Sequence, residues 1–402
     1  MLVTALTLTL TLVSCNDDSV TTLYVYNWGE YISDGSEGSL DVNLEFEKYY
    51  YETYGEKIKV NYSTYSSTED LYAKISSGGA KYDVIFPSDY MVERMATEGL
   101  LAELDYTNIP NMQYISDKFK GDGEFTYYDV GNRYSVPYTY GTFGIIYNTK
   151  IVDKNEENIG SWALMWDPDY EKNILQFNNP RDAFGTALYY LGYDSNDATE
   201  EQWYEALELL KKQKPLVQSY VMDEVFNKMK SGSAAIAVYY TGDFLSMYED
   251  NNDLAFFYPK EGVNIYVDAM CIPKTSQNKL IAERYINFML SEEIAVANAT
   301  YTYYASPNTL VTESEEYIEA ITEVHPDAME ILYTGIDEIP TTFYKNLPAD
   351  KLILLNNLWE ELKIESSVGT EIYIACAVLV VALAGFIAFM VIRKKKRSNY
   401  DD

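Results

Sequence analysis

The sequence predicts an α/β protein followed by a membrane-spanning helix at its C-terminal end. Three observations carry this. Short apolar or alternating runs take turns with amphipathic stripes of helical spacing. The 402-residue chain is 47% hydrophobic, enough to fill a large core divided between two lobes. Residues 372–392 run without a charge and meet a basic cluster, Arg393, Lys394, Lys395, Lys396 and Arg397.

From the N-terminus, residues 2–13 are apolar and threonine-rich, too short to span a bilayer comfortably. They lead through Leu12, Val13 and Ser14 to Cys15, then Asn16, Asp17 and Asp18. Residues 1–15 thus resemble a bacterial lipoprotein signal with Cys15 as the lipidated residue. The basic opening of such a signal is missing, so the true start is expected upstream. Leu23, Tyr24 and Val25 begin a buried strand, and Val42, Phe46, Tyr49 and Tyr50 share one helical face. Ile58, Val60 and Tyr62 alternate as a strand; Leu71 and Ile75 mark a helix ended by Gly78 and Gly79. Residues 83–86 form the next strand, stopped by Pro87. Trp203, Leu207 and Leu210 form a helical stripe after a loop at 194–201, and 234–238 is a buried strand. Ile281, Tyr285, Phe288 and Met289 make another helix, and Leu352, Leu355, Trp359 and Leu362 the last of the body. The apolar run at 372–392 is long enough to span, and its basic flank at 393–402 places that tail in the cytoplasm. The body is therefore expected at the outer face of a bacterial cytoplasmic membrane.

The net charge of −32 excludes nucleic acid as a natural partner. It either keeps the protein soluble outside the cell or concentrates polycations at its surface. A single histidine, His325, precedes Pro326, which argues against histidine-based triads and histidine-rich metal sites. Cys15, Cys271 and Cys376 occupy three unrelated contexts and imply no disulfide framework. No cofactor is expected.

Two short runs carry the functional signal. YNWGEY occupies residues 26–31 and YDVIFPSDY residues 82–90. Each reads as a buried strand ending in a loop that presents aromatics beside polar or acidic groups. That chemistry suits an organic cation, with π faces for its chain and carboxylates for its charge. Asp268 lies between apolar Val267 and Ala269, where a carboxylate must be paired or hydrogen-bonded. Its plainer role is a salt bridge with a lysine or arginine; its functional role is a carboxylate left free for an ammonium.

These runs resemble the substrate-binding proteins of polyamine (spermidine/putrescine) ABC transporters, and the likeness extends over residues 22–365. SWALMW at 161–166 and DPDY at 167–170 resemble the family's "SWxDLW" and "PEYK" segments. IYVDAMCIP at 265–273 resembles the strand carrying its key aspartate, and YASPN at 304–308 its "GYxTPN" turn. The resemblance implies a periplasmic-binding-protein fold of the second type, two lobes closing on a ligand. Lobe one would hold 22–135 with 267–303, and lobe two 138–264 with 306–365.

The resemblance also implies a cage. Trp28, Tyr31, Tyr90, Tyr240, Tyr266 and Tyr304 fall where the family places aromatics, the tyrosines at 240 and 266 replacing tryptophans. Asp268 matches its central carboxylate, Asp182 a glutamate, and Ser88 a hydroxyl that helps hold an amine. Asn179 stands where an aspartate is usual, Gly29 where Thr or Ser is usual, and Met222 replaces a serine. A glutamine of the family has no match, though Lys345 falls close to it. These departures weaken the hold on a third amine more than on two.

The implied partners are a polyamine, an ABC permease and the membrane, the last through the lipid at Cys15 and the helix at 372–392. The same fold binding another cation, a sugar or chelated iron is an alternative, and a secreted hydrolase using paired carboxylates is a further one.

Overall fold

The computed structural model describes residues 20–79, 81–364 and 378–379. The expected lipoprotein signal with Cys15, the basic tail and, apart from Val378 and Leu379, the apolar run at 372–392 lie outside the described residues. Among the described residues no helix is long and apolar enough to cross a membrane.

The body alternates strand and helix as expected. Its strands are β1 Thr21–Trp28, β2 Ile58–Tyr65, β3 Val84–Ile85, β4 Ser135–Asn148, β5 Ile174–Phe177, β6 Val217–Val221, β7 Ile236–Tyr240, β8 Leu254–Phe257, β9 Val263–Cys271 and β10 Thr341–Phe343. The helices are α1 Val42–Tyr54, α2 Thr68–Ser76, α3 Asp89–Thr97, α4 Pro180–Leu191, α5 Glu200–Gln213, α6 Glu224–Lys230, α7 Thr241–Asp250, α8 Lys279–Met289, α9 Glu292–Thr302, α10 Thr309–Thr312, α11 Glu315–Val324 and α12 Ala349–Ile364.

Local chemistry sets several boundaries. Asp41 caps α1 by accepting from the Leu44 N–H, and Gly55 ends it at φ 73°, where a Cβ would be strained. Thr199 and Gln202 form a reciprocal capping box at α5, ending the loop expected at 194–201. Two strands differ from expectation. β1 runs on through Trp28, paired with Tyr65, so the aromatic run at 26–28 is strand and the chain turns only after it. The strand expected at 83–86 narrows to Val84 and Ile85.

The strands follow the order β2-β1-β3-β9-β4-β7-β5-β6, with β10 beside β9 and β8 beside β4. Parallel strands occupy both ends: β1 with β2 and β3, and β5 with β6 and β7. The middle is antiparallel and crosses between the lobes. Ser135 to Thr142 of β4 pair with β9, whereas Phe143 to Asn148 pair with β7 or β8. A register irregularity between Pro137 and Thr139 interrupts the crossing.

Two large apolar cores sit on either side. One joins Leu23, Val25, Phe46, Ile85 and Phe86 to Val267, Tyr285 and Ile286. The other joins Phe143, Ile145, Trp162 and Phe177 to Val238, Phe244 and Tyr317. Helix α9 gives Ile294 to the first core and Ala295, Val296 and Ala299 to the second. A satellite core packs α12 on α4 and α5 through Leu355, Leu358 and Leu362 against Phe184, Trp203 and Leu207. The result is an α/β protein of two lobes, with parallel strand ends from both facing one cleft.

Candidate functional site

The chain leaves several parallel strands at their C-terminal ends and enters a helix directly. Trp28 ends β1, Ser67 precedes α2, and Ser88 precedes α3. Across the cleft Asn179 precedes α4, Asp223 precedes α6, and Tyr240 precedes α7. Five helix N-termini therefore converge, and bare N-termini would favour an anion. The sequence reverses that field. Glu69, Asp89, Asp182, Glu224 and Asp243 occupy the first turns of these helices.

The cavity they surround has an empty volume of about 750 Å³, part of it open to solvent. All ten residues singled out from the sequence line it: Trp28, Tyr31, Ser88, Tyr90, Asn179, Asp182, Tyr240, Tyr266, Asp268 and Tyr304. Glu30, Glu69, Asp89, Asp182, Asp223, Asp243 and Asp268 give it seven carboxylates, and among the described residues no lysine, arginine or histidine lines it. Gly29 and Met222 line it too, whereas Lys345 does not.

The tyrosines do more than present ring faces. Tyr31 donates to Asp268 Oδ2 at 2.6 Å, Tyr240 to Asp182 Oδ2 at 2.7 Å, and Tyr304 to Asp243 Oδ2 at 2.7 Å. Tyr90 donates to Glu69 Oε1 at 2.8 Å, and Tyr127 donates to Asp89. Each hydroxyl holds one oxygen of an acid in place. The rings also brace one another: Tyr31 stands edge-on to Tyr304 with centroids 4.7 Å apart, and Tyr240 to Tyr266 at 5.5 Å. The Trp28 Nε1–H donates to the Phe86 carbonyl at 3.0 Å, which fixes the indole plane.

Among the described residues four buried polar atoms of the cavity wall have no protein partner: Asp268 Oδ1, the Tyr266 hydroxyl, Thr68 Oγ1 and Asn264 Oδ1. Asp268 is 4% exposed and, among the described residues, forms no ion pair with lysine or arginine. An unpaired buried carboxylate oxygen is costly unless a ligand donates to it. Asn179 lines the cavity at the start of α4. It caps α4, accepting from the Asp182 N–H at 2.8 Å while its Nδ2 donates to Asp182 Oδ2 at 2.6 Å. Ser88 pairs in backbone register with Asp268, which sets its hydroxyl beside that carboxylate.

Burial dominates the acidities. It pushes the Asp268 carboxyl up to about 6, against the Ser88 and Tyr31 hydroxyls, with Asp182 pushing the same way. Burial lifts Asp89 to about 7 and Asp243 to about 8, each opposed by its tyrosine. Asp182 and Glu69 are raised for the same first reason. Burial thus favours the protonated acids in an empty cleft, and a cation placed among the carboxylates favours their ionised form.

Sequence reasoning missed Glu69, Asp89, Asp243 and Tyr344 as lining residues. Asp89 stands between Ser88 and Tyr90, and a local signal existed for the acids: each opens a helix directly after a strand or a short link. Tyr344 follows the short β10, and nothing local marks it.

The family model described as bacterial extracellular solute-binding protein matches residues 45–323. The chain is 31% identical over 378 residues to spermidine/putrescine-binding periplasmic protein 1 of Haemophilus influenzae, covering 90% of this chain and 98% of that one. It is 29% identical over 358 residues to a putrescine/cadaverine-binding protein of Pseudomonas aeruginosa, covering 85% and 93%. Among solved structures, the spermidine/putrescine ABC transporter substrate-binding protein of Streptococcus pneumoniae superposes with a TM-score of 0.65 at 32% identity, over 86% of this chain and 99% of that one.

Proposed function

Because the chain belongs to the bacterial extracellular solute-binding protein family, we propose that its cleft captures a linear polyamine, spermidine or putrescine, and presents it to an ABC permease. Members of this family bind solutes and are not enzymes, so the hydrolase alternative falls away. One observation carries the ligand assignment. Seven carboxylates and a set of aromatics line a cavity without a basic side chain, and a buried oxygen of Asp268 is left unpartnered. An ammonium supplies the missing donor, and the ring faces cover its methylenes. The names of the Haemophilus and Pseudomonas relatives support the same ligand class.

In this reading the ten residues singled out from the sequence form the binding site. Asp268, the central carboxylate, takes one amine, with Tyr31 and Ser88 orienting the acid. Asp182, held by Asn179 and Tyr240, takes a second, and Asp243 offers a station that the sequence did not suggest. Trp28, Tyr90, Tyr266 and Tyr304 enclose the chain. The division into lobe one at 22–135 with 267–303 and lobe two at 138–264 with 306–365 is supported by the two cores, with α9 shared. The body works at the outer face of the cytoplasmic membrane, tethered by lipid on Cys15 and by a helix at 372–392; the apolar length and basic flank of that span support the second anchor.

Isothermal calorimetry of the full-length protein with putrescine, spermidine, glutamate and glucose tests this function. The two polyamines bind with low-micromolar or tighter affinity, roughly 8 kcal/mol, and the other two give no heat. Heat with glucose and none with either polyamine overturns the assignment.

A further inference from the structure

Arg181 is the second residue of α4 and only 3% exposed. Three features make it a costly place for a guanidinium. It is buried, its Nε and Nη1 have no hydrogen-bond partner, and it sits at the positive end of a helix. Among the described residues no carboxylate lies within ion-pair distance of it. Its Nη2 donates to Asn196 Oδ1 at 2.9 Å, and its charge lies over the Tyr344 ring, 4.4 Å from the centroid.

That ring is part of the cleft wall. Tyr344 lines the cavity and stands edge-on to Tyr90, with centroids 6.1 Å apart. Its hydroxyl donates to the Arg181 carbonyl at 3.4 Å and lies near Asp182. The guanidinium thus lies behind the wall, one residue from the acid that faces the ligand. Glu69 and Tyr90 face Asp182 from α2 and α3, and Asp268 and Tyr266 from β9. Tyr240 and Asn179 complete its surroundings. Asp268 and Glu69 are acids, so in this crowd Arg181 supplies the one cation among the groups acting on Asp182.

We propose that Arg181 is a positioning residue of the cleft, a buried counter-charge that favours the ionised form of Asp182 when an amine arrives. This rests on the polyamine function above. The guanidinium lies behind Tyr344, screened from the ligand, so its effect on the carboxylate next to it outweighs its repulsion of the ammonium.

A structural alternative is that Arg181 merely clamps the segment bearing Tyr344. Asn196 is the bonded partner in that clamp: it receives the Arg181 donor and the Lys345 N–H, and its Nδ2 donates to the Phe343 carbonyl. The two roles separate by pH. Putrescine affinity of the full-length parent, Arg181→Gln, Arg181→Lys and Asn196→Ala is measured by calorimetry from pH 5.5 to 8.5. Arg181→Gln weakens binding about tenfold at pH 6 and recovers toward the parent by pH 8.5, an upward shift of about one unit in the midpoint. Arg181→Lys keeps the parent midpoint, and Asn196→Ala, which leaves of the clamp only the long Arg181 Nη2 bond to the Lys345 carbonyl at 3.5 Å and keeps the charge, does so too.

An equal loss at every pH, no loss, or tighter binding in Arg181→Gln overturns the proposal. If Arg181→Gln does not fold, Asn196→Ala decides, since a midpoint shifted in that variant assigns the effect to the clamp. A parent that binds no polyamine refutes the function itself; a parent that binds, with variants that fail these tests, refutes only the role of Arg181.

Discussion

The Tyr31 hydroxyl donates to Asp268 Oδ2 at 2.6 Å and leaves Oδ1 of the same buried carboxylate without a protein partner. One oxygen is thereby fixed and the other offered to the cavity. Across the cleft Tyr240 and Tyr304 likewise hold Asp182 and Asp243 through Oδ2. The site is a set of braced acids, and its tyrosines serve as the braces as well as the walls.

Replacing Asp268 tests the offered oxygen. Asp268→Asn removes the charge partner of a desolvated ammonium and costs about 2–4 kcal/mol of polyamine binding. The variant folds normally, because no lysine or arginine loses a partner. Calorimetry with thermal unfolding reads both quantities; parental affinity, or a loss of folding, contradicts the assigned role.

The aromatic walls carry a smaller share. Trp28→Ala and Tyr266→Ala each cost about 1–3 kcal/mol through lost cation–π contact and methylene packing. Trp28 is held by its bond to Phe86, so polyamine addition alters its surroundings without freeing the ring. Tryptophan emission therefore changes on saturation with ligand, and an unchanged spectrum in the parent counts against its placement at the ligand.

Much of this was legible in the sequence, and unevenly. The helical stripes at Phe46, Leu207 and Tyr285 were plain because apolar spacing reports burial directly. The ten site residues came from a resemblance, and all line the cavity; composition alone did not separate Tyr31 from the other tyrosines. What stayed hidden was set by tertiary contact. Nothing local shows that β4 crosses between lobes, because its two halves differ only in which strands they pair with. The Asn179 cap, by contrast, is local: Asn179 precedes Pro180 at the start of α4 and bonds Asp182 three residues on. Tyr344 reaches the wall only because Gly185 leaves room for it.

That last relationship is testable. A Cβ on Gly185 would lie 2.1 Å from the Tyr344 hydroxyl, and Tyr344 is 2% exposed. An alanine within a helix ordinarily gains up to about 1 kcal/mol over glycine. Here the overlap outweighs the gain, since overpacking costs about 1–3 kcal/mol. Gly185→Ala lowers thermal stability and weakens polyamine binding; a more stable variant with parental affinity refutes the packing argument.

Acidity gives a signed prediction. Burial raises Asp268 to about 6, Asp89 to about 7 and Asp243 to about 8 in the empty cleft. The native state then holds more protons than the unfolded chain between about pH 4 and 8, so ligand-free stability attributable to these groups falls as pH rises through that window. A bound polyamine favours the ionised acids. Binding therefore releases protons, and affinity rises over the same range until the acids are ionised without ligand. Calorimetry at pH 6.5 in two buffers of different ionisation enthalpy measures the release; proton uptake contradicts it.

Tethering separates by fractionation. A spanning helix is effectively permanent, whereas one acyl chain holds reversibly, and either raises the effective concentration of receptor beside its permease. Cys15→Ala stays with membranes through the span at 372–392, and a chain ended after Gly369 stays less firmly through the lipid. If the truncated chain with Cys15 intact appears wholly in the medium, Cys15 is not lipidated.

The most direct measurement is the structure of the full-length protein with putrescine bound. An amine nitrogen within about 3 Å of Asp268 Oδ1 is the predicted result. Putrescine in the cleft with no nitrogen at Asp268, or bound elsewhere on the protein, contradicts the account.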